Sequence, residues 1–268
     1  MLRKVIVPLD GSSRSESAIA PARAVATRAD ASLVLVTTRW GSDVSSPRRY
    51  IEARASAIDD GEARLILDRE PVDAISFVAS EDDDALVCMA THGRGGVRGT
   101  VMGSVAEAVV RTIRGPVMLI GPDNKLGESL PASPHVLVGL DGSDTSNAVL
   151  PAAIELARAL HADIRVVQVV LTTDVIKVTR QTTAEATPLE DVVERIRDAD
   201  VDAHYEIVDD GDISARIATY AAELPASIVA LATHGRSGLA RVALGSVAMR
   251  VVRRSECPAL VVRPCSLT

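Results

Sequence analysis

In the first half of the chain, short apolar runs alternate with longer segments in which apolar residues recur at helical spacing. The runs predict strands and the intervening segments predict helices. The predicted strands cover residues 4–9, 32–37, 63–67, 85–90 and 116–120. The predicted helices cover residues 14–29, 47–59, 71–80 and 103–113. This alternation predicts a doubly wound parallel sheet of five strands with helices on both faces.

The same succession occurs a second time along the chain. Three motifs mark the two copies: PLDGS at 8–12 recurs as GLDGS at 139–143, ATHGR at 90–94 recurs at 232–236, and GSVA at 103–106 recurs at 245–248. The second copy predicts strands near residues 135–140, 164–170, 203–208, 227–232 and 259–263. The stretch between the copies is rich in Pro, Gly and Ser. We therefore expect two tandem domains, residues 1–121 and 135–268, joined by a linker over residues 122–134.

The composition narrows the classes of partner. Apolar residues make up 47% of the chain and aromatic residues only 2%, so the core must consist of Val, Ile, Leu and Ala, which suits buried parallel strands. A net charge of −7 without any basic run argues against nucleic acid as a partner. No apolar run is long enough to span a bilayer, and the N-terminus has no signal-peptide pattern. We therefore expect a cytoplasmic protein that does not bind membranes.

The cysteines and histidines do not predict a redox or metal site. Cys88, Cys257 and Cys265 form no CxxC motif, and we expect them to be reduced. The five His residues are scattered, and none lies at ligand spacing from a Cys. No metal site is expected.

A glycine-rich segment lies where a ligand could bind. Residues 93–99 contain four glycines and come directly after a predicted strand, shortly before a helix expected to open at Ser104. Backbone N–H groups of such a loop and of the helix N-terminus would stabilise a phosphate chain, and Arg94 and Arg236 would add charge-assisted contacts. The alternative is structural, because Ser104 and Glu107 have the spacing of a capping box.

Asp10 and Asp141 each end the first strand of their copy, at the edge where open parallel sheets bind ligands. Each is predicted to accept a hydrogen bond from a polar ligand group. The alternative is that each Asp caps the following helix. In the first copy Ser13 and Glu16 have the spacing of a capping box, which would leave Asp10 for the ligand.

The two Thr-His-Gly turns do not predict catalysis. No nucleophile or partner carboxylate lies at a fixed spacing from His92 or His234, so both are expected to be turn or packing residues. The pattern G-x-x-x-x-G-K-[ST] is absent, which argues against fast phosphoryl transfer. We expect a binding protein without catalytic residues.

Together these motifs resemble those of the universal stress protein family. The Asp-Gly-Ser start, the Thr-His-Gly-Arg loop, the Gly-Ser-Val-Ala segment and the closing strands after Gly115 and Cys257 occur in the family's order, twice. The resemblance implies two tandem doubly wound five-stranded parallel-sheet domains of the Rossmann-like, adenine nucleotide alpha hydrolase-like kind. It also implies binding of ATP, with or without Mg²⁺, and a nucleotide-dependent role in stress response or signalling, with hydrolysis absent or slow.

Carried over residue by residue, the resemblance implies a nucleotide site in each copy. Asp10 would contact the adenosine part of ATP, and Thr38 would present a backbone group to the base. Glycines and Ser104 would line the phosphates. The first set is Asp10, Thr38, Ala90, Gly93, Arg94, Gly103, Ser104 and Val105. The second set is Asp141, Val169, Ala232, Gly235, Arg236, Gly245, Ser246 and Val247.

Both copies depart from the family loop at its first glycine, which is Ala90 in one copy and Ala232 in the other. A methyl group there makes a positive φ costly and narrows the approach of a ligand to the backbone. This departure supports an alternative in which nucleotide binding is lost and the protein acts through protein contacts. A phospho-acceptor receiver is a third reading, with Asp68 as its middle Asp. It is disfavoured because Asp10 stands alone and no Lys follows the fifth strand.

The two copies are also expected to associate with each other. The resemblance implies that they pair within the chain as the subunits of family dimers do, through the apolar final strands Val117–Ile120 and Leu260–Val262, which would make the chain a pseudo-dimer. The resemblance implies a further homodimer of the whole chain. A regulatory protein partner of unknown identity is expected as well.

Overall fold

The computed structural model of the chain describes residues 1–39, 42–58, 61–93, 102–170, 189–209, 211–224, 228–233 and 245–264. The strands of the first half are β1 (Lys4–Pro8), β2 (Ser32–Thr38), β3 (Gly61–Ile66), β4 (Ala85–Ala90) and β5 (Val117–Ile120). Its helices are α1 (Ser13–Glu16), α2 (Ile19–Ala29), α3 (Ser45–Ala55), α4 (Pro71–Ala79) and α5 (Ser104–Thr112).

The second half repeats this succession. Its strands are β6 (His135–Leu140), β7 (Asp163–Val170), β8 (Ala203–Asp209), β9 (Ile228–Ala232) and β10 (Ala259–Val262). Its described helices are α6 (Asp144–Asn147), α7 (Leu150–Leu160), α8 (Leu189–Arg197), α9 (Ile213–Glu223) and α10 (Ser246–Arg254). All the strands that the sequence predicts are present, with ends within two residues of the predicted ones.

Each half is an open parallel sheet whose strand order reverses beside its first strand. The order is β3-β2-β1-β4-β5 in the first half and β10-β9-β6-β7-β8 in the second. β1 lies parallel between β2 and β4, and β6 lies parallel between β7 and β9. This order confirms the doubly wound fold. It also places the point where such sheets bind ligands at the carboxyl ends of β1 and β4.

The two halves form one ten-stranded sheet through their last strands. β5 and β10 pair antiparallel, and Met118 lies opposite Leu260 with both side chains fully buried. The predicted pairing of the two copies through their final strands is confirmed. Because this pairing is antiparallel, the carboxyl ends of the strands of the two halves lie at opposite edges of the sheet.

The core lies on both faces of the sheet, because successive residues of a strand point to opposite faces. Val5 and Val7 pack with Val25 of α2 on one face, while Ile6 packs with Val109 of α5 on the other. Aliphatic residues dominate both clusters, as the low aromatic content predicts. None of the helices in the described ranges has a stretch both long and apolar enough to cross a bilayer.

Cys88 and Cys257 are buried free thiols, which confirms the expectation that they are reduced. Burial raises the pKa of both thiols, that of Cys257 to about 12, so both stay protonated at neutral pH. Neither thiol is therefore poised as a nucleophile. Cys265 lies outside the described residues.

The helix predicted over residues 14–29 is wrong as a single element, because α1 and α2 are separate helices. Between them the N–H groups of Ser17 and Ala18 donate to carbonyls three residues earlier, at 3.2 Å. Pro21 accounts for the break, since it has no amide hydrogen to donate to the carbonyl of Ser17. A proline at position 151 likewise lies in the first turn of α7.

Candidate functional site

A cavity of about 300 Å³ opens at the carboxyl ends of β1, β2 and β4. Its volume lies at the lower end of those typical for small-molecule sites. The predicted site residues that line it are Asp10, Thr38, Ala90, Gly93, Gly103, Ser104 and Val105. The structure thus brings together every described member of the first predicted set. Arg94, the remaining member, lies outside the described residues.

Asp10 is held in place by the turn that follows β1. Its Oδ1 accepts hydrogen bonds from the N–H of Ser12 at 3.0 Å and from the Oγ of Ser12 at 2.6 Å. Gly11 has a φ of 81°, which a glycine adopts without strain and which turns the chain toward α1. Asp10 does not cap α1. Ser12 is the N-cap, and its Oγ accepts from the N–H of Ser15 at 3.2 Å.

The predicted capping box of Ser13 and Glu16 is wrong, because Ser13 already lies inside α1. The carboxylate of Glu16 instead accepts hydrogen bonds from the hydroxyl of Tyr50 at 2.9 Å and from Nε of Arg54 at 3.1 Å. Burial, with the carboxylate of Glu16 beside it, raises the pKa of Tyr50. The Tyr50 hydroxyl therefore stays protonated and ties α3 to α1.

Gly93 lies directly against the second oxygen of the Asp10 carboxylate. A Cβ at position 93 would collide with Asp10 Oδ2 and would lie 3.2 Å from Asp10 Cγ. Neither atom can give way easily, because the other carboxylate oxygen is hydrogen-bonded to Ser12. Only glycine at position 93 allows this close approach of the carboxylate to the loop backbone.

Helix α5 opens at the cavity with Gly103 as its N-cap. The structural alternative, a capping box of Ser104 and Glu107, is wrong, because Ser104 is the first helical residue and the N-cap is a glycine, which has no capping side chain. The N–H of Gly103 donates to the carbonyl of Thr91 at 2.7 Å and so joins the two ends of the loop. The first-turn N–H groups of Ser104 and Val105 have no intrahelical partner, and such groups attract anions.

Part of the cavity lining is an apolar wall, which sequence reasoning missed. Val36, Pro71, Ile75 and Met89 form it. Pro71 and Ile75 belong to α4, which follows β3 and so begins at the edge where the other residues gather. The alternation of strands and helices predicts that edge for α4, but not which of its side chains face the cavity.

Ala90 and Ala232 are the last residues of β4 and β9, and each continues the parallel ladder, Ala90 opposite Ile120 and Ala232 opposite Val262. Neither alanine has a positive φ. The expected conformational cost of replacing glycine therefore does not arise at either position. What remains is a methyl group in the wall of the first cavity, where Ala90 is 9% exposed.

His92 lies in the wall of the cavity beside Gly93. Its Nδ1 is 3.0 Å from the Oγ1 of Thr91, whose side chain is buried. This hydrogen bond fixes the orientation of the imidazole ring. The residue was predicted to serve the turn, and its hydrogen bond to the neighbouring Thr is consistent with that role. His234 lies outside the described residues.

The second half repeats the turn and the loop closure. Asp141 Oδ1 accepts from the N–H of Ser143 at 3.0 Å and from its Oγ at 2.6 Å, the distances found at Asp10. Gly245 is the N-cap of α10, and its N–H donates to the carbonyl of Thr233. The remaining described members of the second predicted set stand at equivalent places: Val169 in β7, Ala232 at the end of β9, and Ser246 and Val247 in the first turn of α10. Gly235 and Arg236 lie outside the described residues.

Fold and site together define a class of protein, a tandem Rossmann-like α/β protein with a cavity where the strand order reverses. The model of the universal stress protein family matches residues 42–121 and 133–263, which is more than half of the chain. The chain belongs to the universal stress protein family.

Relatives and solved structures agree with this assignment. The chain is 32% identical over 193 residues to universal stress protein Rv1996 of Mycobacterium tuberculosis, a match that covers 67% of this chain and 59% of that protein. It is 30% identical over 145 residues to universal stress protein YxiE of Bacillus subtilis, covering 48% of this chain and 97% of that protein. A universal stress protein structure from Archaeoglobus fulgidus shares the fold with a TM-score of 0.70 and 18% identity, covering 99% of this chain and 98% of that one.

Proposed function

We propose that the cavity of the first half binds ATP and that the protein is a nucleotide-dependent module of stress response or signalling. The observation that carries the proposal is that three features converge on one cavity: the Asp10 carboxylate, the backbone of Gly93, and the start of α5, whose N-cap is a glycine without a side chain. The ribose hydroxyls of a nucleotide require a hydrogen-bond acceptor, and its phosphates require an anion-binding group such as a helix N-terminus.

Each part of the cavity suits one part of ATP. The apolar wall with Val36, Ile75 and Met89 would cover the base, and the backbone of Thr38 lies at the end of β2 beside it. Asp10 would accept hydrogen bonds from the ribose hydroxyls. The backbone at Gly93 and the first-turn N–H groups of α5 would hold the phosphates, and Mg²⁺ would offset their charge.

The residues present fit this ligand. A side chain at position 93 would collide with the Asp10 carboxylate, and the chain has glycine there. The N-cap Gly103 has no side chain to occupy the first-turn N–H groups of α5, which would leave them for a phosphate. Neither Ala90 nor Ala232 requires the strained conformation that the sequence suggested.

Hydrolysis is proposed to be absent or slow. Among the described residues that line the cavity, Asp10 and His92 carry the groups that could act as a general base, and both are already hydrogen-bonded, Asp10 with Ser12 and His92 with Thr91. A general base must instead be within reach of an attacking water. Phosphate release that proceeds in proportion to enzyme concentration would establish the enzymatic variant of this proposal.

Isothermal titration calorimetry of protein refolded without nucleotide tests the proposal, with ATP and Mg²⁺ as the titrant. We expect saturable binding and a melting temperature that rises with ATP concentration. GTP serves as the comparison ligand of equal charge. No heat of binding and no shift in melting temperature with ATP would overturn the proposal.

A second candidate function is a stress protein that works through protein contacts alone. The observation in its favour is that the Asp-Gly-Ser motif has a structural use in both halves, where the Asp orients the Ser that caps the next helix. The motif can therefore persist without a ligand. Mass spectrometry of the small molecules released by heating the purified protein separates the two candidates. The homodimer, the regulatory partner and the cytoplasmic location stay predictions.

A further inference from the structure

In each half, the hydrogen bond that closes the loop is linked to the last strand of that half. These last strands, β5 and β10, form the antiparallel joint between the halves. Thr91 accepts from Gly103 in the first half, and Thr233 accepts from Gly245 in the second. The N–H of Thr91 donates to the carbonyl of Ile120 at the end of β5, at 3.0 Å. The N–H of Thr233 donates to the carbonyl of Val262 at the end of β10, at 2.8 Å. Each loop closure is thus one hydrogen bond away from the antiparallel joint.

The residue that follows each of these strands contacts a helix of the other half. Gly121 follows β5, and a Cβ there would lie 2.6 Å from the carbonyl oxygen of Val252 in the last turn of α10. Arg263 follows β10, and its Nη1 donates to the carbonyl of Arg111 in the last turn of α5. The contacts differ in kind but link equivalent places in the two halves.

Helices α5 and α10 therefore connect the two sites in a reciprocal way. Each has nine residues and begins at the loop closure of its own half, with Gly103 or Gly245 as N-cap. Each ends against the strand that holds the loop closure of the other half. A change in the first turn of one helix can therefore reach the loop of the other half along the helix and through two contacts. The first joins the end of the helix to the residue after the other half's last strand, and the second is the hydrogen bond from that half's Thr to the same strand.

We propose that occupation of the first cavity by ATP orders α10 and the loop closure of the second half, and that the two sites are therefore coupled. The inference rests on the proposed ATP site. Phosphates on the first-turn N–H groups of α5 would reduce the motion of that helix and of the Thr91–Gly103 closure. Ordering that spreads through packed elements couples two sites even without a change of shape, and coupling typically alters affinity or opening by 5- to 150-fold.

Hydrogen exchange measured by mass spectrometry tests the coupling on the full-length Asp141→Asn chain. The asparagine keeps an oxygen that accepts from Ser143, so the turn persists, while the carboxylate proposed to bind in the second half is gone. On addition of ATP and Mg²⁺ we expect amide exchange to slow about 5-fold or more in Gly245–Arg254 as well as in Met102–Thr112. The double variant Asp10→Asn, Asp141→Asn is the control and should show neither effect.

Arg263→Ala separates coupling from binding, because the exposed Arg263 side chain lies outside the first cavity and donates to the Arg111 carbonyl of the other half. We expect unchanged ATP affinity and melting temperature but at least about 2-fold less of the ATP-induced protection in Gly245–Arg254. Arg263→Lys keeps a donor and should retain the protection. Protection confined to the first half despite measured ATP binding would overturn the coupling, whereas absence of any ATP binding would contradict the proposed function instead.

Discussion

The carboxylate of Asp10 occupies the space that a side chain on Gly93 would need, so the turn after β1 and the loop after β4 fit together only with glycine at position 93. Gly93→Ala is expected to displace the carboxylate from its place in the cavity. Loss of a hydrogen bond to a charged group costs about 1.5–3 kcal/mol, so the Kd for ATP should rise about 10- to 150-fold in a calorimetric titration.

Gly127→Ala is the matched control for this substitution. Gly127 lies in the linker, and a Cβ there would meet no atom within 4 Å. Its Kd for ATP should equal that of the unaltered chain. Equal Kd values for Gly93→Ala and Gly127→Ala would show that Asp10 does not contact the nucleotide.

Substitution of Asp10 separates its role in the turn from its role in the cavity. Asp10→Asn keeps an oxygen for the N–H of Ser12, whereas Asp10→Ala leaves that N–H without its partner. We expect both variants to lose ATP affinity. Only Asp10→Ala should also lose stability, by about 1 kcal/mol in urea unfolding. Full ATP affinity in Asp10→Asn would contradict a role for the carboxylate in binding.

The strands were predictable from sequence because burial on both faces demands continuous apolar runs such as Ala85–Ala90, every residue of which is buried. The repeat then predicted the same succession of elements in both halves, and the family resemblance implied that their last strands pair. Asp10 and Gly93 could be predicted as site residues because each follows an apolar run that predicts a buried strand, and a polar residue or a glycine is easily recognised there. Their mutual contact was not predictable, since it depends on the distance between β1 and β4.

The N-caps of α1 and α5 were expected one residue too late, at Ser13 and Ser104, for a physical reason. The N-cap is the residue with extended backbone before the first helical one, and Ser12 and Ser13 offer the same side chain. The left-handed turn at Gly11 decides between them. At α5 the N-cap is a glycine, which has no side chain to mark it. The apolar wall from α4 escaped prediction because tertiary packing alone selects which of its residues face the cavity.

Alanine substitutions at the two adjacent serines test which of them caps α1. Ser12→Ala removes the acceptor of the Ser15 N–H and should lower the free energy of unfolding by about 1 kcal/mol. Ser13→Ala should leave it within about 0.5 kcal/mol, because alanine suits the first helical turn. The urea midpoint of each variant measures the difference. The reverse ranking would restore the capping box of Ser13 and Glu16.

The pH dependence of stability has a source at Asp212. The hydrogen bond from Arg254, followed by those from Ser214 and Ala215, lowers the pKa of this N-cap carboxyl. Because the folded pKa lies below the unfolded value of about 3.9, the carboxylate stabilises the fold above that value, and the contribution is lost as pH falls further. Asp212→Asn keeps a capping side chain but no charge.

Urea unfolding of this variant and of the unaltered chain, from neutral pH down to about pH 2, measures the effect of the carboxylate. The Asp212→Asn midpoint should be lower at neutral pH and approach that of the unaltered chain as the solution is acidified. A difference in midpoint that is the same at every pH would show that the charge of Asp212 does not contribute.

Gly121 tests whether the joint between the halves is packed as tightly as the pairing of β5 with β10 indicates. A Cβ at this buried position would lie 2.6 Å from the backbone oxygen of Val252, which cannot move without shifting the end of α10. Overpacking of this kind costs about 1–3 kcal/mol, so Gly121→Ala should lower the urea midpoint while Gly127→Ala leaves it unchanged. If the halves unfold together through their shared sheet, Gly121→Ala should still show a single urea unfolding transition, with its midpoint at a lower urea concentration. Two separated transitions would instead mean that the substitution has uncoupled the halves, and an unchanged midpoint would contradict the close contact itself.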